Sequence, residues 1–218
     1  METSNDQSTP SDGLTGRLNR GDQEALATLF SEHRERLWRM VRFRMDERLH
    51  GRVDPDDVLQ EAYLAAAARM KNYADDDAVS PFVWLRTMVL QTLTDLHRHH
   101  LGAQMRNAGR EIILQGWQYP QTTSVSIAAQ FMGHFTSPSQ IAVRAETFNQ
   151  LEQAVAAMDG LDQEVLALRH FEELSNSEVA EVLGIQQKAA SIRYVRAIKR
   201  LRGVLSQMPG FAEGDRNV

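Results

Sequence analysis

The segment from Ser175 to Arg202, SNSEVAEVLGIQQKAASIRYVRAIKRLR, constrains this chain more than any other. It reads as two short helices around a tight turn, with all the local positive charge on the second. Ser175 followed by Glu178 is a capping box, in which each side chain satisfies a backbone donor that a helix start leaves without a partner. Val179, Ala180 and Leu183 give the first helix its apolar face, and Gly184 supplies the left-handed position that ends it. Ile185 follows to plug the corner. From Gln187 to Arg202 the segment holds Lys188, Arg193, Arg196, Lys199, Arg200 and Arg202 with no Asp or Glu, while Ala190, Tyr194, Ala197, Ile198 and Leu201 recur at helical spacing. Such a helix packs one face and offers another to phosphate, which is how a helix is held in a DNA groove. A solvated basic helix in an ordinary bundle is the plain alternative.

The rest of the chain narrows the setting. Its 218 residues suffice for two small domains, each near the lower limit for an independent core. The formal net charge is −5, so contact with nucleic acid has to come from local basic patches. The absence of cysteine excludes a disulfide framework and thiolate metal sites. Nothing resembles a signal peptide or a membrane-spanning run, so a cytoplasmic protein without membrane insertion is expected.

Nearly every segment reads as helix and none shows clear period-two alternation, which predicts an all-α protein. The expected organisation is two small helical domains joined by a long flexible linker, the C-terminal domain carrying a helix-turn-helix. Residues 1–15 are polar and rich in Ser, Thr, Asp and Pro, as a disordered tail would be. The first domain, 16–102, opens with a helix capped near Asp22 whose stripe is Leu26, Leu29, Phe30, Leu37, Met40 and Val41. Asp54-Pro55-Asp56-Asp57 starts a second helix running to about Tyr73, with an Asp cap, Pro in the first turn and acids at the positive helix end. Ser80-Pro81 opens a third, to about Leu101. Residues 103–140, broken by Gly and Pro, are expected to be the linker. Helical periodicity returns over 141–208, and 209–218 is a tail.

Three pieces in order, "DPDDVLQEAYLAA", "SPFVWLRTMVLQTLTDLHR" and, after the linker, "LDQEVLALRHFEELSNSEVAEVLGI" with "SIRYVRAIKRLR", resemble a bacterial RNA polymerase sigma factor of the sigma-70 family in its short extracytoplasmic-function (ECF) form. The resemblance covers roughly Gly16 to Leu205. It implies a non-catalytic initiation factor without a cofactor, whose partners are core RNA polymerase and promoter DNA, with an anti-sigma factor as regulator by family habit.

Carried over by position, the resemblance makes Asp57, Gln60 and Glu61 core-polymerase-binding residues on the helix that docks on the clamp helices of the largest subunit. The helix with Trp84 and Leu85 and the loop before it, Asn72 to Ser80, fall where the family recognises and melts the −10 element. This makes Asn72, Tyr73, Gln91, Asp95 and Arg98 DNA-binding candidates, with Tyr73 as a stacking surface for a flipped base. Gln91 stands where family members often have Asn, and Trp84 equally suits a core position. The −35 element would meet Gln187, Lys188, Ser191, Arg193 and Arg196. The family's common Ser-x-Gly-Thr-Val start is replaced here by Gln186-Gln187-Lys188-Ala189-Ala190, so the scaffold is retained while the reading edge differs. Arg193 and Arg196 suit either guanine or phosphate.

Two other function classes fare worse. A stand-alone helix-turn-helix regulator would explain the C-terminal domain and leave the first one unexplained. A metal enzyme would have to use His97, His99 and His100, of which only His97 and His100 share a helix face, with no third ligand beside them. With Arg98, these histidines more simply extend positive charge toward a DNA backbone.

Overall fold

The computed structural model describes residues 10–70, 73, 79–101, 111–114, 117–120, 124–133 and 141–206. The chain divides into two compact units, 1–108 and 109–218. Its helical class is as expected, and a two-stranded hairpin is the β-structure among the described residues.

The first unit is built on three long helices. Helix α2, Gln23–Arg44, starts at Asp22, whose carboxylate accepts from the backbone N–H groups of Glu24 and Ala25. Helix α3, Pro55–Arg69, starts at Asp54 with Pro55 in its first turn, and ends short of the expected Tyr73. Helix α4 spans Pro81–Leu101. All three pack on one another, burying Leu26, Leu29, Leu37 and Val41 of α2, Val58, Leu59, Ala62 and Ala66 of α3, and Leu85, Val89, Leu90 and Leu93 of α4. Each large aliphatic side chain so removed from water contributes about 1.5–3 kcal/mol. The Arg36 guanidinium lies 3.9 Å from the Phe82 ring centre, joining α2 to α4 by charge as well as by packing.

Ordered structure begins earlier than composition implies. Helix α1, Pro10–Asn19, occupies part of the stretch read as a disordered tail. Leu18 is fully buried where α1 meets α2, and the Arg17 guanidinium donates to the Asp22 carboxylate at 2.7 Å. Gly21, at φ 76°, makes the turn between them. One buried leucine and the ion pairs of Arg17 with Asp22 and Glu24 therefore hold a polar segment that lacks a long apolar stripe.

The second unit begins inside the stretch read as linker. Strands β1, Glu111–Leu114, and β2, Trp117–Pro120, pair antiparallel, Leu114 opposite Trp117 and Glu111 opposite Pro120. Isoleucines on one strand and aromatics on the other suit a pleated ladder. Helix α5, Ser124–Gly133, packs on α6, Ile141–Ala156, with Ile127 and Ala128 fully buried. The spacing of Ile127, Ala128, Phe131 and Met132 is an amphipathic helix stripe, too short to stand out among glycines and prolines.

Helix α7, Gly160–Leu166, is capped by Asp159 and continues as a π-helical turn, Ala167–Phe171. Helices α8, Asn176–Leu183, and α9, Gln187–Leu205, complete the unit. Its core gathers Leu151, Val155, Val165, Leu166, Leu168, Val179, Leu183, Ala190, Ala197 and Leu201.

Candidate functional site

Helices α8 and α9 form the helix-turn-helix that the local signals predict. Ser175 Oγ accepts from the Glu178 backbone N–H at 3.2 Å, and Glu178 Oε2 accepts from the Ser175 N–H at 2.6 Å. Gly184 lies at φ 61°, ψ 32°, the left-handed conformation a side chain would oppose. Asn176 Nδ2 donates to the Gln187 carbonyl at 2.9 Å, tying the start of α8 to the start of α9. The Gly184 turn and this one side-chain bond thereby join the two helices.

On α9, Ala190, Ala197 and Leu201 face the core, and Tyr194 is half-buried beneath the Arg169 guanidinium. Gln187, Lys188 and Ser191 are exposed, as a reading edge needs. Arg193 and Arg196, expected at the −35 element, have an acidic partner within their own unit. Asp162 of α7, its side chain 9% exposed, accepts from Arg193 Nη1 at 2.7 Å and from Arg196 Nε and Nη2 at 2.9 and 2.7 Å. Arg193 also lies 3.4 Å from Asp159. Both arginines hold α9 against α7, and Arg193 is turned well away from Lys188 around the helix.

In the first unit, Asp57, Gln60 and Glu61 are exposed along one edge of α3. Leu64, one turn further along that edge, is 61% exposed. The neighbouring Asp56 pairs with Arg34 at 2.6 Å, fixing α3 to α2. Tyr73 is not a free stacking surface: its ring is buried against Trp84 at 5.1 Å, and its hydroxyl donates to the Val79 carbonyl at 2.9 Å. Trp84 is likewise a core residue. The hydroxyl bond ties Tyr73 to Val79, six residues on. Asn72 and residues 74–78 lie outside the described residues.

Gln91 is half-buried, its Oε1 accepting from Arg69 Nη1 at 2.7 Å, while Asp95 is exposed with Arg98 3.8 Å away. His97 departs from its histidine neighbours. It is buried, and its Nε2 accepts from the Asp46 backbone N–H at 3.3 Å, whereas His99 and His100 are exposed. No group of three metal-ligating side chains occurs among the described residues.

The two units match, in order, the family models described as Sigma-70 region 2, over residues 29–101, and Sigma-70, region 4, over residues 148–201. The chain belongs to the sigma-70 family. It is similar to the ECF RNA polymerase sigma factor SigW of Bacillus subtilis (strain 168), at 21% identity over 192 residues covering 88% of this chain and 95% of that protein. It is 24% identical over 196 residues to the RNA polymerase sigma factor NccH of Alcaligenes xylosoxydans xylosoxydans, covering 89% and 94%. Among solved structures, CnrH in complex with the cytosolic domain of CnrY shares the fold, at 22% identity and a TM-score of 0.50, covering 90% of this chain and 97% of that one. This is therefore a sigma factor of the ECF form, and the region 2 match leaves the stand-alone regulator without an account of the first unit.

Region 2 of this sigma factor is the α2–α4 bundle, and region 4 runs from within α6 to α9. Helices α1 and α5 lie outside the matched residues. Sequence reasoning missed Arg69 and Asp162, which act on site residues from other helices, and Leu64, which extends the α3 edge. For Leu64 a signal existed: it follows Asp57, Gln60 and Glu61 at helical spacing. For Asp162 there was none, because its partners lie 31 and 34 residues away.

His97 of α4 and Asp46 beside it have displaced titrations. Burial pushes the His97 imidazole below its ordinary range, with the Asp46 carboxylate opposing that shift. The hydrogen bond from the Arg48 guanidinium takes Asp46 down to about 2. A neutral His97 and an ionised Asp46 thus hold the short 3-10 turn Glu47–Leu49 against the end of α4.

Proposed function

We propose that this sigma factor binds core RNA polymerase through the α3 edge of Asp57, Gln60 and Glu61, and recognises the −10 element with Asn72 and, along the second half of α4, Gln91, Asp95 and Arg98. Region 4 seats α9 at the −35 element, with Gln187 and Ser191 toward the bases, Lys188 toward the phosphates and Arg193 and Arg196 fixing the helix's seat. The observation that carries this reading is the combination of exposed polar edges on α3 and α9 with buried opposite faces, in two units matching regions 2 and 4 in order. An edge left in water by its own unit is free to meet a partner. The α9 helix has no acid from Gln187 to Leu205, which favours phosphate despite the overall negative charge.

The factor is non-catalytic and works in the cytoplasm beside the polymerase. No helix among the described residues is long and apolar enough to cross a membrane. A protein regulator of the anti-sigma kind is supported by the similar structure of CnrH, which is in complex with the cytosolic domain of CnrY.

Electrophoretic mobility shifts on a promoter fragment test the reading. Core polymerase and this chain together should give a sequence-specific, heparin-resistant complex, and neither should do so alone. A specific complex formed by the chain without polymerase would contradict it.

A further inference from the structure

Ile192 and Val195 are 56% and 64% exposed on α9, two of the four large apolar side chains so exposed among the described residues. Both are β-branched, a mildly unfavourable choice in a helix that gains no packing from them. With 3.6 residues per turn, Lys188, Ile192, Val195 and Lys199 form one stripe along the helix, directly opposite Ala190, Ala197 and Leu201. The apolar pair is thus the centre of the outward face, with a lysine one turn before it and another one turn after. Arg193 and Arg196, the side chains otherwise suited to bidentate guanine contacts, are held by Asp162 at the flank.

An apolar centre between two cations fits one surface in duplex DNA especially well. The thymine C5-methyl group is the apolar feature of the major groove, and it lies between two phosphate backbones. We propose that Ile192 and Val195 are specificity-determining residues that read thymine methyl groups in the −35 element, while Lys188 and Lys199 contact the flanking phosphates. The inference rests on the placement of α9 at that element and goes beyond it, since it names the chemical group read and the residues that read it. Reading by methyl contact predicts preference for A·T pairs of one orientation, because the methyl marks only one strand.

The test uses holoenzyme reconstituted from core polymerase and the full chain. Randomised −35 elements are first selected to find the preferred sequence. Each thymine of that sequence is then replaced singly by deoxyuridine, which removes only the methyl. Parent holoenzyme should bind about fourfold more weakly at one or two of those positions, the loss expected for one methyl returned to water. Ile192→Ala and Val195→Ala should each abolish the sensitivity at one position, whereas Ile192→Val and Val195→Ile should retain it. Both side chains are exposed, so unchanged thermal unfolding of the Ala variants separates reading from folding.

Parent holoenzyme with a clear −35 preference but no response to deoxyuridine would overturn the inference and leave the proposed function standing. Ala variants that kept the parent's sensitivity would also overturn it, by giving the methyl to another residue. Ala variants that bound core polymerase or a regulatory protein more weakly, with parent indifferent to deoxyuridine, would assign the pair to a protein surface and overturn it. Absence of any −35 preference would remove the proposed role of α9 and the inference with it.

Discussion

Asp162 of α7 and Arg196 of α9 meet side-on, the guanidinium donating from Nε and Nη2 to the two carboxylate oxygens at 2.9 and 2.7 Å. Arg193 donates to the same carboxylate at 2.7 Å. A nearly buried acid shared by two arginines joins α9 to α7 and fixes which face of α9 points outward. Removing it leaves Arg196 without its counter-charge and Arg193 with Asp159 alone, at 3.4 Å. Asp162→Ala should therefore destabilise the second unit by about 1–3 kcal/mol, less than for a fully buried pair because Arg196 is partly solvated. Denaturant unfolding followed by circular dichroism measures this, and a loss below about 0.5 kcal/mol would show that the ion pair holds nothing.

The same geometry separates the cations of α9 by their salt dependence. Arg196 is already neutralised by Asp162, so Arg196→Ala should leave the salt slope of promoter binding nearly unchanged. Lys188→Ala and Lys199→Ala, on exposed positions of the outward stripe, should each lower it by about one. A slope that dropped for Arg196→Ala and for neither lysine would reverse the assignment.

Tyr73 is part of the core and of the loop's anchorage. Tyr73→Phe keeps the stacking on Trp84 and loses the bond to the Val79 carbonyl, which should cost about 0.5–1.5 kcal/mol. Base preference at the −10 element, read by selection of randomised promoters, should stay the same. A changed preference would mean that the ring leaves its buried position to meet DNA.

The comparison between chain and structure turns on how local each signal is. The capping box at Ser175, the glycine at 184, and the Asp starts at positions 22 and 54 are written within a few consecutive residues, so the helix-turn-helix and the helices of region 2 could be placed directly. The exposed edge of Asp57, Gln60 and Glu61 follows from helical spacing once α3 is known. Helix α5 and the β1–β2 hairpin were hidden because each is short and flanked by glycine and proline, so their apolar residues form no extended period. The burial of Tyr73 and the arginine partnership of Asp162 depend on segments brought together only by the fold, which no local pattern encodes.

His97 and Asp46 give region 2 two distinct acid-sensitive windows. His97 titrates below its ordinary range in the folded protein, so below about pH 6.5 the unfolded chain takes up a proton that the native state resists. Stability should fall as pH drops from there toward the folded value, by up to about 1.4 kcal/mol per pH unit. His97→Gln should flatten this window. Asp46, at about 2 when folded, contributes stability that is present above its ordinary 3.8 and lost as pH falls from there to about 2. Asp46→Asn should remove that second loss and deepen the first, because the carboxylate no longer opposes the shift of His97. Urea midpoints measured from pH 8 to pH 2.5 would check both, and a His97→Gln profile parallel to the parent's would contradict the role given to the buried imidazole.

The α3 edge should behave as an interface and not as part of the core. Gln60→Ala with Glu61→Ala should leave thermal unfolding within about 0.5 kcal/mol of the parent, since both side chains are exposed. Affinity for core polymerase, measured by competition against a labelled parent chain, should fall about tenfold or more. Equal competition by the double variant would move the polymerase contact elsewhere.

The most direct measurement of the whole account is mapping of transcript starts on genomic DNA with core bacterial polymerase, with and without this chain. The account predicts a small set of starts that require the chain, share a two-part promoter and vanish when Gln60 and Glu61 are replaced by Ala. Starts that were the same with and without the chain would contradict it.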